Sequence, residues 1–187
     1  AEGEPDLLYV DLHLVLAVDV SGSVNARRFE LQKQGYVKAF RAKQILDAIK
    51  AGAAGAVAVT MAQWTGPVMQ VVVVPWTRIH DEATFEAFAA AIERGPRHLY
   101  SGGTSISGAI DHAMSLFPAC PYPAQRRVID VSGDGENNRG RSAGTARDDA
   151  VDQGVCVNGL PILEIERTLD QHYRDHVIGG PGAFLIA

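Results

Sequence analysis

Residues 19 to 23 read Asp19-Val20-Ser21-Gly22-Ser23, directly behind the apolar run Leu12 to Val18 and ahead of a helical pattern that begins near Asn25. A short apolar run followed by a helix makes the pentapeptide a strand-to-helix loop. In extended backbone alternate side chains share a side, so Asp19, Ser21 and Ser23 face the same way. One carboxylate and two hydroxyls then sit together at the carboxyl end of a strand. Open α/β sheets bind ligands outside those ends, and hard oxygen donors there suit Mg2+, or Mn2+ or Ca2+. The same residues also serve as turn and capping groups around a satisfied buried acid, so this stretch alone leaves both readings open.

Two later segments weigh on that choice. Ser101-Gly102-Gly103-Thr104-Ser105 precedes a helical pattern, and Val128-Ile129-Asp130-Val131-Ser132-Gly133-Asp134-Gly135 is an apolar strand running into a glycine-flanked aspartate. Asp-x-Ser-x-Ser, then a Thr in a Gly-rich loop, then an Asp after a later strand resembles the metal-ion-dependent adhesion site of von Willebrand factor type A domains. The resemblance covers most of the chain and implies a metal site of Asp19, Ser21, Ser23, Thr104 and Asp134. The wording around Asp134 and Asn158-Gly159-Leu160-Pro161-Ile162 is similar to a bacterial, functionally uncharacterised branch of that superfamily.

The resemblance implies direct coordination by Ser21, Ser23 and Thr104, with Asp19 and Asp134 acting through water or hydrogen bonds. No protein carboxylate would then touch the cation, and a partner protein's Asp or Glu would be preferred at its open position. The implied function is a non-enzymatic, divalent-metal-dependent protein-binding module, of adhesion type and located outside the cytoplasm, periplasmic or secreted. Such domains normally close with a helix after the last strand. Here the sequence stops at Ala187, so the expectation is one domain over residues 1–187, lacking that C-terminal helix.

Composition bounds the alternatives. The 187 residues, 47% hydrophobic and 21% charged, fit one globular α/β domain rather than a disordered chain. The net charge is −5, and no Lys/Arg run exceeds two residues, so the footprint for nucleic acid or an anionic membrane is missing. A local basic patch stays open at Arg139 and Arg141. No apolar run approaches the roughly 18 residues of a membrane span. The chain begins at Ala1 rather than Met, which fits either a removed targeting segment or a chosen boundary. The two cysteines, Cys120 in a Pro-rich turn and Cys156 in an apolar run, are expected to be free thiols.

Along the chain, strand patterns fall at Leu7–Val18, Ala56–Trp64, Val68–Trp76, Arg126–Ser132, Val155–Leu160 and Ala183–Ile186. Helical patterns fall between Asn25 and Ala51 in two pieces, then at Asp81–Arg94, Ser105–Phe117, Ala143–Gln153 and Glu164–His176. Only Thr65-Gly66-Pro67 separates the second and third strands, so the third must be antiparallel and belongs at the sheet edge. The order predicts a doubly wound, mostly parallel, Rossmann-like sheet with one antiparallel edge strand and helices on both faces.

The chief alternative is a Mg2+-dependent hydrolase or phosphotransferase on a related fold. A haloacid dehalogenase-like phosphotransferase needs a second Asp two residues after the first, where this chain has Ser21. The P-loop string Gly-x-x-x-x-Gly-Lys-Ser/Thr does not occur, and Gly103-Thr104-Ser105-Ile106-Ser107 fails the Gly-x-Ser-x-Gly pattern at its last position. His172 and His176 have zinc-compatible spacing without a third ligand nearby in sequence, which reads as a solvated helix face. Glu136, Asn137, Asn138, Arg139 and Arg141 follow Asp134 and would flank the metal, as partner contacts or as a plain turn.

Overall fold

A computed structural model describes residues 8–187; the first residue of the expected opening strand, Leu7, lies outside that range. Five strands form the sheet: β1 Leu12–Asp19, β2 Val57–Trp64, β3 Gln70–Ile79, β4 Arg126–Gly133 and β5 Val155–Pro161. Their spatial order is β3-β2-β1-β4-β5. All pairings are parallel except β2 with β3, as the three-residue hairpin connection demands.

Alternate residues of β1 are buried on opposite faces, which is why the strand reads as a continuous apolar run. Val15 and Ala17 join Ile129, Val131 and Val157 beneath α4 Ile106–Leu116, α5 Ala143–Asp152 and α6 Leu169–His176. Leu16 and Val18 join Val59 and Met61 beneath α1 Ala26–Ala39, α2 Lys43–Lys50 and α3 Glu82–Arg94. The helices therefore cover both faces, and the chain has the von Willebrand A arrangement.

The helix starts follow their caps. Asn25 accepts from Arg28 N, Asp81 and Thr84 form a capping box, and Ser105 and Ser142 each accept from the third following amide, satisfying donors that helix geometry leaves free. Two expectations need correction. The helix expected from Glu164 begins only at Leu169, after a run of turns in which Leu169 N donates to Glu166 O; Glu164 pairs with Arg28 at 2.9 Å. The strand expected at Ala183–Ile186 shrinks to a single parallel bridge, Gly159 to Leu185. The edge of β5 is shared there: Val157 pairs antiparallel with Gly179, and the glycine-rich reversal between the two bridges leaves no room for a longer ladder. Both cysteines are free.

Candidate metal centre

β1 delivers Asp19 fully buried to the carboxyl end of the sheet. Its Oδ1 accepts from Ser21 N at 2.7 Å, the local turn bond that Asp favours two residues ahead. Ser21 Oγ lies 3.4 Å from Ser23 Oγ, and Thr104 Oγ1 lies 3.4 Å from Ser21 Oγ. Ser23 Oγ donates to Asp134 Oδ1 at 2.7 Å, and Asp134 N donates to Asp19 Oδ2 at 3.3 Å. The structure thus brings Asp19, Ser21, Ser23, Thr104 and Asp134, drawn from three separate loops, into one connected set.

Residues that sequence reading missed hold those loops. Gln32 on α1 donates to Asp19 O and accepts from Ser132 Oγ, each at 3.0 Å, tying the ends of β1 and β4 together. Its position was legible, since it falls three residues after Phe29 and four before Tyr36, on the apolar side of the helix. Arg97 donates to the carbonyls of Val20, Ser21 and Leu99. Its guanidinium lies over the rings of Phe29 and Tyr100, 5.6 and 5.1 Å from their centroids. Nothing in the local sequence marked that arginine.

The flanking loop does not present all five expected residues outward. Asn138 Oδ1 accepts from Thr104 N at 2.8 Å while Asn138 N donates back to Thr104 O at 2.8 Å. Asn137 Oδ1 accepts from Ser107 N at the start of α4. These two asparagines clamp the Thr104 loop. Arg141 reaches Asp111 on α4 and Asp149 on α5, each at 2.6 Å, so it is not a free basic charge at the site. Arg139 is exposed and lies across Gly103, and Glu136 is exposed.

His172 also differs from its solvated-face reading. Its Nε2 accepts from Asn137 N at 3.4 Å, and its Nδ1 lies 4.0 Å from Glu136. Burial holds the imidazole below its usual pKa, with the Glu136 carboxylate opposing, which suits the neutral, accepting form. Among the described residues no three His, Cys, Asp or Glu side chains gather as a metal-binding group. Any cation at this end must therefore rely on hydroxyls as well as carboxylates.

The electrostatics fit a cation. Burial pushes the Asp19 carboxyl up to about 7; the Ser21 hydrogen bonds oppose that and the charge of Asp134 adds to it. Asp134 Oδ2 is buried without a hydrogen-bond partner. Two adjacent buried carboxylates, one with an orphaned oxygen, are costly on their own. A hard divalent ion offsets both costs, and an all-oxygen donor set suits Mg2+, Mn2+ or Ca2+ rather than a soft metal.

Solved structures resemble this chain. An aerotolerance-related membrane protein from Bacteroides fragilis is 25% identical over 80% of this chain and 67% of its own, with a TM-score of 0.57. Proximal thread matrix protein 1 from the mussel byssus, solved with a zinc-occupied MIDAS motif, is 15% identical over 95% of this chain but only 41% of its own length, with a TM-score of 0.64. A von Willebrand factor type A protein from Catenulispora acidiphila is 19% identical over 83% of this chain and 34% of its own, with a TM-score of 0.56. No curated protein sequence matches the chain. Residues 9–187 match the model of a family described as Protein of unknown function (DUF1194), and the chain belongs to that family.

Proposed function

We propose that the chain is a single-domain, non-enzymatic protein-binding module that captures an acidic residue of a partner through a divalent cation. The observation that supports this most is the orphaned Asp134 Oδ2 beside buried Asp19, joined to three hydroxyls at the open end of the sheet. Ser21, Ser23 and Thr104 are the direct ligands, and Asp19 and Asp134 act through hydrogen bonds or water. When bound, Mg2+ supplies a Lewis-acidic position that favours an anionic oxygen.

The chain's own residues do the rest. Neutral hydroxyls leave the cation's charge incompletely balanced, so a partner's Asp or Glu is preferred over a neutral side chain. Helices α1 and α4 begin within a few residues of the site, and their amino ends add partial positive charge that favours an incoming carboxylate. The net charge of −5 argues against nucleic acid as partner. No described helix is long and apolar enough to cross a membrane. An extracytoplasmic location accords with the membrane-protein and byssal-thread relatives.

Capture from an extract of the source organism, run with Mg2+ and with chelator, tests the reading. A partner retained only with Mg2+, and lost with Thr104→Ala, is expected. Equal retention under both conditions overturns the reading.

A further inference from the structure

Behind the five candidate site residues lies a group that none of the local motifs contains. Tyr173, on α6, is fully buried, and its hydroxyl has no hydrogen-bond partner. The chain makes room for it with two glycines. A Cβ on Gly159 would come within 2.6 Å of the Tyr173 ring, and one on Gly133 would come within 2.8 Å of its hydroxyl. The same Gly133 Cβ would stand 3.0 Å from Asp19 Oδ2. The phenol and the carboxylate therefore converge on one point at the end of β4, on the side of Asp19 away from Ser21.

A buried hydroxyl left unpaired is costly, and a well-packed interior replaces it by phenylalanine at no loss of shape. Burial, and next the charge of Asp19, hold this phenol protonated far above its ordinary range. It is thus a donor facing the Asp19 carboxyl across the space that Gly133 leaves open.

We propose that Tyr173 is a positioning residue of the cation site, its hydroxyl donating to Asp19 Oδ2 when a divalent cation is bound. This inference rests on the metal-binding reading above. The bond fixes Asp19 from behind, as outer partners fix the ligands of other metal sites. It also joins α6 to the site at a second point, since the adjacent His172 already accepts from Asn137 in the loop after Asp134.

The test is Mg2+ and Mn2+ titration of the full chain by calorimetry, wild type against Tyr173→Phe, with thermal unfolding of both in chelator. Tyr173→Phe is expected to weaken cation binding by about tenfold, while its unfolding temperature in chelator is equal to or higher than wild type. Cation addition should also change the near-ultraviolet tyrosine difference spectrum of the wild type, and that component should vanish in Tyr173→Phe. Equal affinity in the two proteins overturns the role of Tyr173 while leaving the metal site standing. A wild type that binds neither ion overturns both.

Discussion

Ser23 Oγ donates to Asp134 Oδ1 at 2.7 Å across 111 residues of chain. That contact joins the loop after β1 to the loop after β4, and it occupies one oxygen of Asp134 while the other stays buried and unpartnered. The consequences can be measured without knowing the partner.

Cation binding and pH should be linked through Asp19. Burial holds the Asp19 carboxyl up at about 7, above the 3.8 of an ordinary aspartate. Folding therefore takes up a proton between those values, and stability in chelator should fall as pH rises through that window, by about 1.4 kcal/mol per pH unit at the steepest. Mg2+ needs the ionised form, so its affinity should rise by about tenfold per unit over the same window. Calorimetry in buffers of different ionisation heat should show a proton released; an affinity flat from about pH 5 to about pH 8 contradicts the linkage.

Asp19→Asn should abolish Mg2+ binding yet leave the unfolding temperature in chelator unchanged or raised. The amide retains the acceptor for Ser21 N and removes a buried charge beside Asp134. Scanning calorimetry checks this, and a strongly destabilised variant would speak for a structural aspartate.

Asn138→Ala should separate loop positioning from folding. It removes the acceptor for Thr104 N at 2.8 Å, which should cost about 1 kcal/mol in chemical denaturation. Mg2+ affinity should fall by about tenfold because Thr104 is no longer fixed.

Gly133→Ala should cost about 1–3 kcal/mol through overpacking, since the new methyl group meets the Tyr173 hydroxyl at 2.8 Å. Adding Tyr173→Phe should recover part of that loss, and a double-mutant cycle reads the coupling. Additive losses would place the strain elsewhere.

Arg141→Ala should cost less than about 1 kcal/mol, because its pairs with Asp111 and Asp149 are largely exposed. Mg2+ affinity should be unchanged, as measured by titration.

Much of the molecule was legible before any tertiary contact was known. Each strand in the sheet follows from an apolar run bounded by turn residues, and the antiparallel edge strand from a connection too short for a crossover. The caps at Asn25, Asp81 and Ser105 mark their helices because their side chains bond amides only three residues away. The misreadings at Glu164 and at Ala183–Ile186 have the opposite origin. Turns ahead of Leu169 and an already shared strand edge overrode local propensity.

What the sequence determined by itself is the set of local periods and loops: a doubly wound sheet, and five oxygen-bearing residues at three loop positions. What only the tertiary structure decided is how those loops meet. Parallel pairing of β1 with β4, with Val18 opposite Ser132, sets Asp19 beside Asp134. From there Gln32, Arg97, Asn138 and Tyr173 acquire their places. Repeating patterns report on neighbours within a few residues, whereas the bonds that Gln32, Arg97 and Asn138 make to hold this site span 13 to 100 residues. Sheet register, fixed by burial of both faces at once, is the quantity that closes those distances.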